Sequence, residues 1–293
     1  MPHGTHEPEY EPRNTDAMHA LASGYADLYI RDFLVTPVAR STKIEPQREA
    51  VLAAFQSPYQ ALHTFFAHYA FARRGRERED IAAVAMAALA RTTDRIGEEG
   101  LIESDDAAQL WVEFEAVCEE RGLKPREEQN RGAVQGILEL AQEIHQLYPG
   151  ASLATWIVRG LREHQVLEAE YARLVDIRGI GPKSASTFVR DTVVLFEIED
   201  LVSPAERIFT LAVDRWLRLV LPRITDEPDL EDVPDWIVAG KVAKYTRLAK
   251  CPAGRFDMGV TYFGQRIVMK ENRFEAEFNR LVKVVGEDKA RLV

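Results

Sequence analysis

The stretch Leu174 to Phe196, LVDIRGIGPKSASTFVRDTVVLF, constrains the fold of this chain more than any other. An apolar helix end runs into Gly179-Ile180-Gly181, and a second helix opens at Pro182-Lys183. Glycines one residue apart allow a tight bend and a close approach of the backbone to another molecule. Proline suits the first helical position, where a missing N–H costs nothing. Ala185, Phe188, Val189, Thr192, Val193 and Phe196 follow at helical spacing, so the pattern predicts helix, tight hairpin, helix. The start of the second helix carries N–H groups without intrahelical partners and is a ready site for a phosphate, with Lys183 in its first turn. No evident strand precedes the glycines, which separates the pattern from a dinucleotide fingerprint. A glycine pair before a helix is also, elsewhere, a plain connection.

The rest of the chain reads as helical too. Amphipathic spacing predicts helices over 17–35 (closed by Pro37 and Ser41-Thr42), 45–55, from Ser57-Pro58 onward, 80–96, and from the Ser104-Asp105-Asp106 cap to Glu120. GRERED before the 80–96 helix reads as a solvated turn. Asn130-Arg131-Gly132 leads into a further helix that Pro149-Gly150 stops, followed by helices over 152–164 and 166–175. Ser203, with Glu206 three positions on and Pro204 between them, has the form of a capping box. It predicts a helix through Phe209 to about Val220, ending before Pro222, with Asp214 within or beside it. The acidic, proline-rich 225–234 is a loop, and helices follow over 235–248 and 272–285. Residues 1–16 are polar and read as a disordered tail. The expected fold is all-α: a body over 17–293 in two helical lobes with a cleft, holding the hairpin motif over 166–196, an aspartate segment over 204–221 and a basic part over 235–293.

Composition bounds the partners. Net charge is −10, which sits poorly with a polyanion. From Asp235 to Val293, however, twelve Lys and Arg face seven Asp and Glu, a surplus of +5 that leaves −15 for the remainder. A basic C-terminal surface beside an acidic body fits one DNA-facing side, and equally a solvated helix face. No apolar run reaches membrane-spanning length, and the N-terminus lacks a signal pattern. The two cysteines, Cys118 and Cys251, suit a reducing cytoplasm and cannot supply the four thiolates of an iron–sulfur cluster. His63 and His68, five apart, fall on different helix faces and read as core-edge or surface residues.

GIGPKSA followed by AVDRWLRLV resembles the catalytic core of the helix-hairpin-helix DNA glycosylases. Lys183 falls on the lysine that bifunctional members use as nucleophile, and Asp214 on the aspartate shared across the family. The distance between them in sequence is longer than in the endonuclease III type and closer to the archaeal oxoguanine glycosylase branch. The match covers about Leu174 to Leu221. Departures are Val-Asp-Arg-Trp in place of a Val-Asp-Thr-His style segment, Ala212 in place of a proline, and Ile177-Arg178 where Leu-Pro is usual. They bear on substrate class more than on fold.

The resemblance implies a base-excision-repair DNA N-glycosylase with AP-lyase activity, acting on damaged double-stranded DNA, with an oxidised purine as lesion. It implies a monomer in the cytoplasm, nucleoid-associated if the source is prokaryotic. Lys183, made neutral by burial in the cleft and by its helix start, would form a Schiff base, and Asp214 would assist. Gly179, Gly181, Arg178, Arg190, Lys241 and Lys244 are candidate phosphate contacts. Trp216, Tyr262 and Phe263 are either base-stacking platforms or core. No cofactor is implied and no side chain is assigned to a metal, although family members often hold a monovalent cation on hairpin carbonyls, here near Gly179 and Gly181. Two other readings stay open: a non-catalytic DNA-binding protein that keeps the hairpin, and a helical protein-interaction module.

Overall fold

The computed structural model describes residues 12–71, 77–104, 107–225 and 232–292, without the side chains of 77–79 and 288–292. Among them every regular element is helical and no strand occurs, so the all-α expectation holds. In chain order the helices are α1 Thr15–Ala20, α2 Ala26–Tyr29, α3 Thr36–Thr42, α4 Arg48–Gln56, α5 Pro58–Phe65, α6 Glu77–Glu103, α7 Ala108–Glu120 and α8 Glu127–Leu147. There follow α9 Leu153–His164, α10 Glu168–Val175, α11 Pro182–Leu195, α12 Arg215–Ile224, α13 Asp235–Leu248, α14 Ala253–Tyr262 and α15 Phe274–Leu292. They form two compact units, Arg31–Ala212 and Met1–Ile30 with Val213–Val293. Gly179, Gly181 and Lys183 thus belong to one unit, and Asp214 to the other.

In the unit Arg31–Ala212, α11 is the central helix. From Ala185 to Leu195 only Thr187 escapes burial, and α4, α9, α10 and a 3-10 turn over Glu206–Thr210 pack around it. Phe188 sits among Phe55, Phe65 and Tyr69 at ring-centroid distances of 6.1, 4.8 and 5.0 Å. Each such buried ring contributes on the order of 2–3 kcal/mol of apolar transfer. Arg48 closes the far end of α11, donating from Nη2 to the carbonyls of Val194 (2.9 Å) and Leu195 (3.2 Å), which the helix itself leaves without partners.

The other unit is built on α14, which packs against α2, α12, α13 and the π-helical turn Leu21–Tyr25. Backbones meet closely there. A Cβ on Gly259 would come to 1.8 Å from the Leu21 carbonyl oxygen, so no larger residue fits. α14 continues as a π-helical turn over Phe263–Val268, and α15 brings Phe274 and Phe278 against it.

Several boundaries differ from the sequence expectation. Helix runs from 15 to 42 through Pro37, because wider π-type turns over Leu21–Tyr25 and Ile30–Val35 change the hydrogen-bonding step and Pro37 falls in the first turn of α3. The left-handed Lys43 stops the run instead. The end of the expected tail is ordered: Arg13 N–H donates to the Ile224 carbonyl (2.9 Å) and Asn14 Nδ2 to that of Arg223 (2.7 Å). α8 starts at Glu127, so Asn130-Arg131-Gly132 lies inside it. No helix spans 203–220: the 3-10 turn ends at Thr210, 211–214 run extended with Leu211, Ala212 and Val213 buried, and α12 continues past Pro222. The expected tail over 1–11, the first two residues of the GRERED turn (75–76), the cap at 105–106 and the acidic link over 226–231 lie outside the described residues, while 77–80, expected as the rest of that turn, open α6.

Candidate functional site

Two helix starts carry the candidate residues. α10 stops at Val175, and a β-turn over 177–180 follows, closed by Ile180 N–H donating to the Ile177 carbonyl at 2.9 Å. Its third residue, Gly179, has φ +100, a conformation that L side chains rarely adopt. Gly181 then extends the chain (φ −92, ψ 167) as the cap residue of α11, with Pro182 in the first position and no side-chain cap. A Cβ at Gly181 would meet nothing within 4 Å, so packing inside the chain does not require glycine there.

The turn is held from two sides. On α8, added Cβ atoms at Gly132 and Gly136 would meet Arg178 (2.7 Å) and Ile177 (2.8 Å), so these two glycines let the helix touch the turn. At the start of α10, Glu206 Oε2 accepts the N–H groups of Leu167 (2.6 Å) and Glu168 (3.0 Å). Glu206 therefore does not close a capping box with Ser203. It caps a helix almost forty residues earlier. Beside the turn lies a groove of about 370 Å³, lined on α8 by Glu139 and Glu143, on α10 and its end by Arg173 and Asp176, and on the turn by Arg178. Arg173 pairs with Glu143 across it, and both charge signs line it.

Lys183 is exposed in the first turn of α11, and its carbonyl accepts the Thr187 hydroxyl at 2.7 Å. This differs from the expectation of a lysine buried in a cleft. Arg178 is exposed as well. Arg190, expected as a phosphate contact, is 1% exposed. Its guanidinium holds Asp191 through Nε (3.0 Å) and Nη2 (2.8 Å), and Asp191 also accepts the Tyr69 hydroxyl at 3.0 Å. Burial pushes the Asp191 carboxyl up while Arg190 and Tyr69 pull it down. A buried charge survives only when so paired, which keeps Arg190 inside.

Asp214 is the cap residue of α12. Its Oδ1 accepts the N–H groups of Trp216 (2.8 Å) and Leu217 (3.1 Å), and the side chain is half-buried. Asp214 thus has a structural duty irrespective of any chemistry. Trp216, Tyr262 and Phe263, the possible base platforms, are all core. Trp216 is 2% exposed with its ring against Gly264, and Tyr25 packs on Tyr262 (6.4 Å) and Phe263 (5.5 Å). On α13, Lys241 is half-buried and Lys244 and Arg247 are exposed.

Among the described residues no cluster of three or more His, Cys, Asp or Glu is placed to hold a metal. Cys118 and Cys251 are buried thiols. His68 Nε2 lies 3.0 Å from Ser41 Oγ, and burial, with Lys43 adding to it, lowers His63 to about 4. No described helix is long and apolar enough to cross a membrane. No family model matches the chain, and neither characterised proteins nor solved structures give a match.

Proposed function

We propose that this protein is a base-excision-repair DNA glycosylase with AP-lyase activity, with damaged double-stranded DNA as substrate. The observation that carries the reading is the start of α11: a glycine turn with Gly179 in the left-handed region, an uncapped Gly181 with open space in front of it, and an exposed Lys183 one residue beyond the first helical position. A DNA phosphate would supply the missing cap, and sequence-independent phosphate contacts set the position of the strand. Lys241 and Lys244 would add to them, and a monovalent cation on carbonyls near Gly179 and Gly181 would bridge the turn to DNA.

The damaged nucleotide must first leave the stack. The Lys183 amine then attacks C1′, the bond from C1′ to the base breaks, and the base departs with the bonding electrons. The amine loses a proton, the sugar ring opens to an imine, and loss of a C2′ proton expels the 3′ phosphate by β-elimination. Because Lys183 is exposed, its water must be stripped by the DNA lying over it, so the nucleophile is completed by substrate. Asp214, fixed by two backbone N–H groups, would stabilise positive charge on the sugar and take the amine's proton. The chemistry requires both groups to face one sugar carbon in the complex.

Borohydride trapping on duplexes carrying a panel of lesions, oxidised purines first, tests this. A covalent adduct is expected with the native protein and none with Lys183→Ala; equal trapping by both proteins would end the proposal. The exposure of Lys183 also fits a second reading, in which the hairpin binds DNA without chemistry. That reading expects salt-sensitive binding that Asp214→Asn leaves intact, and no strand cleavage.

A further inference from the structure

The outward face of α13 has no part in the chemistry above and an unusual composition. Trp236 is 72% exposed, whereas Trp111 and Trp216 are 3% and 2% exposed. Val238, Ala239, Val242, Ala243, Tyr245 and Thr246 form the buried side of the helix. The opposite side carries Trp236, Gly240, Lys244 and Arg247, with the half-buried Lys241 at its edge. The helix has a single carboxylate, Asp235, and Arg218 pairs with it. In a chain of net charge −10, this face is cationic. Gly240 is one turn beyond Trp236, and a Cβ there would meet nothing within 4 Å. With no side chain on Gly240, the helix surface one turn beyond Trp236 is open.

We infer that this face of α13 binds a single strand of nucleic acid, with Trp236 stacking on an unpaired base and Lys241, Lys244 and Arg247 meeting its phosphates. An indole standing out in water can stack only on a base that has left the duplex, which selects a single strand over a double helix. Lys241 to Arg247 spans about 9 Å of helix at 1.5 Å per residue. Cations over that length can reach successive phosphates of one strand. The face shares a nucleic-acid partner and the phosphate contacts Lys241 and Lys244 with the function proposed above, whereas Trp236 belongs to the single strand alone, so loss of oligonucleotide binding in Trp236→Ala and loss of borohydride trapping in Lys183→Ala distinguish the two.

The test is an anisotropy titration of end-labelled, undamaged oligothymidylate and oligouridylate of about 16 nucleotides with the full chain, at about 50 mM salt, with the tighter of the two naming the natural strand. Binding should quench Trp236 emission. Trp236→Ala should weaken affinity roughly tenfold, and Trp236→Phe, which keeps a stacking ring, should recover most of it. Lys244→Ala and Arg247→Ala should each reduce the slope of log affinity against log salt by about 0.7. No binding by the native protein, or equal binding by Trp236→Ala, would overturn the inference. So would quenching by anionic phospholipid vesicles with none by either oligonucleotide, which would make this a lipid-facing helix.

Discussion

The starts of α11 and α12 solve one problem in opposite ways. Both helices open with N–H groups that intrahelical bonding cannot satisfy. α12 answers with its own carboxylate, since Asp214 Oδ1 accepts two of those groups. α11 opens on Gly181 with no side-chain cap and with empty space where a Cβ would stand. A start that caps itself stabilises the chain. One that opens on bare glycine is suited to an outside anion, and it is the one that carries the exposed lysine.

If that contrast is functional, substitutions at the two starts separate cleanly. The largest effect is expected from Lys183→Ala, which should cut strand cleavage at least about 10³-fold without changing thermal stability. Next comes Asp214. Asn caps helices as well as Asp, so Asp214→Asn should melt within about 1 °C of the native protein yet lose about 10²-fold in base release. Asp214→Ala should lose the cap too, about 1 kcal/mol and a Tm lower by about 2–4 °C. If the Asn variant kept full activity, Asp214 would be a cap and nothing more.

The two glycines sharpen the comparison at smaller scale. Gly179→Ala forces a side chain into φ +100 and should cost about 1–2 kcal/mol in chemical denaturation. Gly181→Ala meets no atom and has an ordinary backbone, so stability should stay within about 0.5 kcal/mol. Its methyl group would stand where a phosphate is proposed, so DNA affinity measured by anisotropy should still fall several-fold. A Gly181→Ala protein that bound DNA normally would break the link between the open start and phosphate.

The smallest effect concerns the support of the hairpin. Glu170 on α10 is 7% exposed, its Oε2 has no hydrogen-bond partner, and it faces Gly160 of α9. Burial raises its pKa above the usual 4.5, with Glu206 adding to the rise and His164 opposing it. The native state therefore favours the protonated acid. Its contribution to stability is full below about 4.5 and declines as pH climbs through the raised native value. Glu170→Gln should consequently melt a few degrees higher than the native protein at pH 7.5, and the gain should vanish in melts near pH 4.

Much of this was legible in the sequence where local chemistry decides. The bend at Gly179, the proline start of α11, the helix over 152–164 and the limits of α13 follow from glycine, proline and apolar spacing, and the structure has them. α14 was not legible as a helix, because it is buried nearly all round and so lacks an amphipathic stripe. Glu206 misled because its partners lie far away in sequence: a capping-box spacing cannot tell a local cap from a tertiary one. Arg190 looked available from its residue type, and only packing shows it paired with Asp191; Trp216 stood as platform or core, and its packing against Gly264 makes it core. The exposure of Trp236 was not legible, since residue type alone does not separate an exposed tryptophan from a core one.

The proposal that the α11 start is where chemistry happens can be tested at the atom concerned. The borohydride-trapped complex with a lesion-bearing duplex would be digested to peptides and nucleotides, and the reduced sugar remnant located by mass spectrometry. If Lys183 is the nucleophile, the remnant sits on the peptide containing Gly181-Pro182-Lys183 and on no other. A remnant on a different lysine, on the N-terminal amine, or on no peptide at all would contradict it.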